Sequence, residues 1–368
     1  MLWAKSKATI VAALAVLMLA GCSAVNMASG DSGERGLSPL APLGEVPIPK
    51  DNPMSEAKVE LGRMLFFDRR LSGDGTMSCA SCHMPEMAFT DSLPISLNYP
   101  TTRNWRNSPT LINIGYARTL FHDGRAVSLE EQALFPMMSA FEMNQNLDFM
   151  EEEIREVPGY VAAFKDAFGA GVTRYRIAQA IAAYERTIVS KNVPLDRYLA
   201  GDVSALSADA KAGMELFLGK AGCIRCHGGA YMSDGGYHAN GVPENEMVTD
   251  DPRTAITVRF VAKVSGYEDY ENLTEDPGRY LVTKRPRDWK AFRTPTLREV
   301  ARTSPYMHNG VFATLEEVIE FYDGGAGEGN SERLAPLGLS ADEKRSLMLF
   351  LTEALSGNEI EVKYPKIP

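Results

Sequence analysis

Two pentapeptides carry the most specific chemistry in this chain. Cys79-Ala80-Ser81-Cys82-His83 and Cys223-Ile224-Arg225-Cys226-His227 each set two thiols three residues apart, with a histidine directly after the second. Thiols at that spacing can form thioethers to the two vinyl groups of one haem, and the adjoining imidazole then faces the iron as an axial ligand. A thioredoxin-like thiol pair needs no following histidine, and a Cys-Cys-His zinc site needs a fourth ligand close by. The sequence has five cysteines, so two complete copies of the pattern leave only Cys22 outside it. The expected cofactors are two covalently bound haem c groups, with His83 and His227 as one iron ligand each.

The elements that must position these motifs repeat as well. Gly62-Arg63-Met64-Leu65-Phe66 precedes the first and Gly213-Met214-Glu215-Leu216-Phe217 the second, with the motifs 144 residues apart (223 minus 79). The pattern reads as a duplicated small helical haem domain. Thr173 can cap a helix whose apolar face is Ile177, Ile181, Tyr184 and Ile188. Ser340 to Glu343 and Thr314 to Glu317 are capping boxes ahead of further apolar helical faces. Strand-type alternation is weak throughout. The expected fold is mainly α, with two cytochrome-c-like haem domains carrying long loops, at residues 55–205 and 206–368.

Length and charge bound the rest. At 368 residues and 45% hydrophobic, the chain can bury about two cores. A formal charge of -10 without a basic cluster argues against a nucleic-acid partner. Lys5 and Lys7 precede a short apolar run from Ala8 to Ala20, the pattern of an export signal rather than of a membrane span. Leu19-Ala20-Gly21-Cys22 resembles the bacterial lipobox. Residues 1–21 are therefore expected as a signal peptide, Cys22 as the lipidated residue, and 22–54, rich in Ser, Gly and Pro, as a flexible tether. The protein is expected in the periplasm or at the cell surface as a membrane-anchored lipoprotein. No cysteine is left for a disulfide.

Taken together, the chain from about Ser55 to Leu355 resembles the bacterial dihaem cytochrome c peroxidase superfamily, which includes MauG. The resemblance is carried by Leu71-Ser72-Gly73-Asp74-Gly75, Asn107-Ser108-Pro109-Thr110, Phe121-His122-Asp123-Gly124-Arg125-Ala126, Leu129-Glu130-Glu131-Gln132-Ala133 and Pro305-Tyr306-Met307-His308-Asn309-Gly310, in that order. It implies two cytochrome-c-like domains with a calcium ion between them. The N-terminal haem would react with hydrogen peroxide and the C-terminal haem would pass electrons. The family's distal residues fall on Gln132, Pro136 and Glu142, where a carboxylate could shuttle the proton that peroxide cleavage requires. Its calcium ligands fall on Asn107, Thr303 and Pro305, the last two through backbone carbonyls. Arg125 and Arg298 are candidates to pair with haem propionates. His308 reads as a neighbour of the second haem, and His238 as a solvated loop residue.

The remaining axial ligand separates subclasses. The resemblance implies a Met on the second iron in the peroxidases and a Tyr in MauG, and the matching position here is Tyr322. With Leu315, Val318 and Ile319 it forms one apolar helical face. Between His83 and His122 there is no histidine to block the first iron, so that iron is expected to be open to peroxide. Two positions depart from MauG: the inter-haem Trp is matched by His122, expected to serve as the relay, and a surface Trp before the second motif by Ala221. The expected function is a dihaem c-type peroxidase that reduces hydrogen peroxide with electrons from a small periplasmic donor protein. One alternative is a MauG-like oxidant of side chains in a protein substrate. The other is a dihaem electron carrier with both irons filled.

Overall fold

The protein is seen in a computed structural model that describes residues 39–98, 103–332 and 334–368. The expected signal peptide, Cys22 and the first part of the tether lie outside the described residues. In the N-terminal half, α1 (Glu56–Phe67) leads into α2 (Cys79–Cys82), which carries the first thiol pair; α3 (Leu129–Met138), α4 (Leu147–Arg155), α5 (Pro158–Phe168) and α6 (Arg174–Glu185) follow. The C-terminal half contains α7 (Pro194–Leu199), α8 (Ala208–Leu218), α9 (Glu246–Thr249), α10 (Pro252–Val264), α11 (Tyr280–Thr283), α12 (Leu315–Asp323) and α13 (Ala341–Leu349). The described strands are two short ones, β1 (Tyr237–His238) and β2 (Phe292–Arg293), paired antiparallel with Tyr237 opposite Arg293. The molecule is mainly helical, as expected. No helix among the described residues is long and apolar enough to cross a membrane.

Local sequence accounts for the helix starts. Thr173 accepts from the Arg176 amide at the head of α6, and capping boxes at Thr314 and Ser340 open α12 and α13. Ile177, Ile181, Tyr184 and Ile188 are all buried, so the expected face of α6 is the face that packs. Two glycines explain the repeated lead-in. A Cβ on Gly62 would lie 1.8 Å from the Ala180 carbonyl oxygen, and one on Gly213 would lie 1.9 Å from that of Ser346. Each glycine lets the helix before a thiol pair (α1, α8) cross a later helix (α6, α13) at backbone contact.

The duplication extends beyond the lead-in. The Leu120–Ala126 bridge recurs as Tyr306–Phe312, 186 residues later (306 minus 120). Left-handed φ values recur at the same offset: Asn113 (64°) and Glu299 (64°), Phe121 (65°) and Met307 (73°), Gly124 (66°) and Gly310 (62°). At that offset α3, capped by Ser128, corresponds to α12, capped by Thr314, and Pro136 corresponds to Tyr322. The offset is 144 at the thiol pairs and 186 afterwards, so the C-terminal copy carries 42 extra residues (186 minus 144) between His227 and Arg293. This insertion holds α9, α10 and α11.

Residues 37–368 form one compact unit containing distinct apolar clusters. One runs from Leu61 to Ile188 and a second from Val193 to Leu355; a third joins Ile95 and Trp105 to Val258, Ala262, Leu273 and Leu281 of the insertion. The two larger cores divide between Ile188 and Val193. The chain ends also cross over. Leu40 packs against the second core, while Ile360 and Val362 pack against the first. The segment from 39 to 54 is correspondingly not a free tether. Asn52 is buried and donates to Glu130 Oε1 (2.7 Å) and to the Gln179 carbonyl (2.9 Å), and Tyr116 donates to the Gly44 carbonyl (2.6 Å). Its Ser/Gly/Pro composition hid these backbone acceptors.

Candidate functional site

Each histidine of the thiol motifs is oriented by its own following loop. His83 Nδ1 lies 3.0 Å from the Phe89 carbonyl, and His227 Nδ1 lies 3.3 Å from that of Met232. Phe89 and Met232 both adopt left-handed φ (57° and 54°), which turns their carbonyls back onto the imidazoles. A carbonyl at Nδ1 fixes the tautomer and leaves Nε2 as the free nitrogen, the arrangement a metal-ligating histidine needs. Burial lowers the imidazole pKa of both and takes His227 to about 4, so both rings are neutral at ordinary pH.

The thiols form no disulfide, and that of Cys226 lies with Asp234 and His238, their ligand atoms within 4.8 Å of one another. Burial pushes Cys82 up to about 12 and Cys223 up to about 11, while Cys79 is raised further still. A reactive redox pair would hold a thiolate at depressed pKa, which is the opposite shift. Covalent attachment to an apolar macrocycle fits these thiols.

The second motif opens into a cavity of about 330 Å³, lined by Phe217, Cys223, Cys226, His227, Leu315, Ile319 and Tyr322. A mainly apolar cavity with His227 in its wall fits a haem. Tyr322 sits in the same wall, and its hydroxyl accepts a 3.0 Å hydrogen bond from Asn240 Nδ2. Burial raises the phenol to about 12, and the bond from Asn240 opposes that rise.

The expected calcium residues Asn107, Thr303 and Pro305 line this cavity too, as do His122 and His308. Asn107 commits its amide nitrogen to the Leu93 carbonyl (2.8 Å), and its backbone carbonyl lies 2.9 Å from His122 Nε2. Burial, then the nearby Arg106, lower His122 to about 4. His308 stacks on Phe292 with ring centroids 3.6 Å apart.

The three distal candidates lie outside that cavity, in the N-terminal half. Gln132 and Pro136 are one turn apart on α3 and share a half-buried face, while Ala133 and Met137 face the core. Pro136 has no amide hydrogen to bond the carbonyl of Gln132 four residues earlier. The chain then turns at Ser139, whose carbonyl accepts from the Glu142 amide (3.1 Å). Asn104 Nδ2 donates to Glu142 Oε1 (3.1 Å), and the Glu142 charge acts on the Cys82 thiol. The Glu142 carboxylate is therefore fixed on the side of the first thiol pair.

Other side chains were not foreseen. Arg106 is buried and forks onto Asp276 (2.6 and 2.9 Å) while also bonding Asp123 (2.6 Å), joining the insertion to the N-terminal half beside His122. Arg298 is not available to a propionate: its guanidinium is spent on both oxygens of Asp196 and the carbonyls of Ala230 and Ala41. Arg125 pairs with Asp123 and lies 3.4 Å from the Phe121 ring centre. Arg293 lines the cavity instead. His238 is no solvated loop residue, since it is clamped between Asp234 (2.9 Å) and Glu332 (3.0 Å). Glu185, buried at the end of α6, has an oxygen without a hydrogen-bond partner, and its charge acts on Cys79.

Comparison with known proteins agrees with this arrangement. A family model described as di-haem cytochrome c peroxidase matches residues 56–204. The cytochrome-c peroxidase IdrP1 of Denitromonas iodatirespirans is 46% identical over 363 residues, covering 96% of each chain. The methylamine utilization protein MauG of Methylorubrum extorquens is 34% identical, covering 94% of this chain and 93% of its own. Among solved structures, a MauG-like protein associated with microbial copper homeostasis superposes with a TM-score of 0.73 at 31% identity, over 86% of this chain and 93% of that one. Thiol pairs, oriented histidines and relatives of matching length lead to one conclusion: the chain belongs to the di-haem cytochrome c peroxidase family.

Proposed function

We propose that this protein is a dihaem peroxidase that reduces hydrogen peroxide in its N-terminal half and draws electrons from a redox protein through its C-terminal half. The observation that carries the reading is the contrast at one duplicated position: Pro136 in the first copy, with no side-chain donor, and Tyr322 in the second, in the cavity wall with His227. Haem c held by Cys79, Cys82 and His83 and by Cys223, Cys226 and His227 would supply the iron that binds peroxide and the electrons that reduce it.

The reaction consumes two electrons and two protons per peroxide and releases two waters. Asn104 holds Glu142 Oε1, which leaves Oε2 to take a proton from one peroxide oxygen and return it to the other. Gln132 can donate a hydrogen bond to the same substrate. Pro136, with no donor atom in its side chain, would leave the first iron without a ligand from α3, and Tyr322 would supply one to the second. Asn107, Thr303 and Pro305 would hold a calcium ion through hard oxygen donors, and His122 beside them would lie on the path between the halves. The apolar run ending at Cys22 supports export and a lipid anchor for the same chain.

The test is to add peroxide to the purified ferric holoprotein and then offer reduced cytochrome c. Multiple turnovers are expected, falling about 10²- to 10⁴-fold in Glu142→Gln. A persistent oxidised state that ignores cytochrome c would favour the oxidant of protein side chains, the reading that Tyr322 in place of a Met supports. No reaction with peroxide would refute both and leave an electron carrier.

A further inference from the structure

The loop from Asp234 to Asn240 is fixed from several directions, and it ends on Asn240, whose side chain bonds the Tyr322 hydroxyl. The Asp234 amide donates to the Cys226 carbonyl (2.7 Å), tying the loop to the second thiol motif. Tyr237 and His238 pair with Phe292 and Arg293 as β1 and β2. His238 is held by Asp234 on one ring nitrogen and Glu332 on the other. The Ala239 carbonyl accepts from Ser331 (2.8 Å) and the Asn240 carbonyl from Gly327 (3.0 Å). The backbone of Asn240 is thereby set, and its Nδ2 lies 3.0 Å from the Tyr322 oxygen. Both residues line the cavity that His227 enters.

An amide donor aimed at this point is of use to an oxygen and of little use to a thioether. We propose that Asn240 is a positioning residue for Tyr322, holding its oxygen in the cavity and tuning how strongly that oxygen donates to the second iron. The inference rests on the reading of Tyr322 as the iron's second ligand, and deepens it. A hydrogen bond to an anionic ligand oxygen withdraws charge from it, weakening its donation to the metal. Without that bond the oxygen donates more strongly, which favours the oxidised iron and lowers its potential. The clamp at His238 has a part in this, because it sets the loop from which Asn240 reaches.

The test uses holoprotein carrying Asn240→Leu or Asn240→Asp, both close in size to Asn and both lacking amide protons. The readouts are the phenolate-to-iron charge-transfer band and the midpoint potential of the haem at His227. Both variants are expected to shift the band to longer wavelength and lower that potential, with Asp, which adds negative charge, lowering it more. Far-UV circular dichroism and haem content identify a variant that fails to fold, in which case the other decides. If the band and potential stay at their wild-type positions in both variants while Tyr322→Phe abolishes the band, Tyr322 is the ligand but Asn240 does not tune it, and the inference falls. If Tyr322→Phe leaves the wild-type spectrum unchanged, the ligand reading falls and takes the inference with it.

Discussion

Replacing Arg106 with Met isolates one of the contacts that join the insertion to the rest of the fold. Arg106, Asp123 and Asp276 have side chains only 5%, 4% and 4% exposed, so little water could replace the lost guanidinium. Asp276 would keep only the bond from the Gly278 amide (2.8 Å), whereas Asp123 would keep Arg125 (3.1 Å). The cost therefore falls mainly on Asp276, at about 3–5 kcal/mol for a buried carboxylate that has lost its partner.

The pH dependence gives the sign. Burial works against the Asp276 charge, but Arg106 outweighs it and holds the carboxyl below its usual range. In the wild type its stabilisation is present above an unfolded pKa of about 3.9 and fades as pH falls through the lower native value. In Arg106→Met burial acts with far less opposition and raises that pKa. The variant's deficit should then be largest near neutral pH and shrink as acid protonates Asp276. Urea unfolding of the holoprotein at pH 7 and pH 5, followed by circular dichroism, measures both quantities. Arg106→Met with Asp276→Asn should recover most of the loss, because the uncompensated charge goes with the arginine. A deficit below about 1 kcal/mol, or one equal at both pH values, would refute the argument.

Two other substitutions probe the N-terminal half. Burial raises Glu185 to about 8, so the native state keeps a proton that the unfolded chain loses near pH 4.3. Wild-type stability should fall by up to about 1.4 kcal/mol per pH unit between those values, and Glu185→Gln should remove that slope in pH-dependent unfolding; parallel slopes would refute the assignment. Pro136→Tyr places a phenol at the position that corresponds to Tyr322 and should cut peroxide turnover at least tenfold (about 1.4 kcal/mol), with loss of high-spin ferric absorption; unchanged turnover would show that Pro136 does not border the reactive iron.

The parts legible in the sequence are those in which partner groups are close along the chain. The two thiol motifs, the caps at Thr173, Thr314 and Ser340, and the apolar face of α6 depend on spacings of a few residues, and the structure bears out those caps and that face. What stayed hidden is the pairing of lone polar groups across long separations. Arg106 finds Asp276 170 residues away, and Arg298 finds Asp196 102 residues away. Nothing local distinguishes a buried, fully bonded arginine from one left free for a propionate, and His238 among glycines looked solvated because Glu332 was out of view. The contacts of the segment at Asn52 stayed hidden for the same reason, since Asn52 reaches Glu130 and the Gln179 carbonyl 78 and 127 residues away.

The duplication shows how one scaffold could give two different irons. Glycines at 62 and 213 set equivalent helix crossings, carbonyls of Phe89 and Met232 orient equivalent histidines, and Ser128 and Thr314 start equivalent helices. Against that shared frame the copies diverge along the helix, at Gln132 and Val318 and at Pro136 and Tyr322 among other positions, and in what surrounds them. Glu142 and Asn104 accompany the proline, which suits proton transfer at an open site. Asn240, on its anchored loop, accompanies the tyrosine, which suits a ligand whose oxygen must be held and moderated. The 42 extra residues of the second copy pack back on the first: Trp105 and Phe141, beside Glu142, meet Phe260 of α10 in successive edge contacts at 6.4 and 5.3 Å. The C-terminal copy thus carries both a candidate ligand for its own iron and an aromatic contact to Phe141, the residue before the other copy's acid.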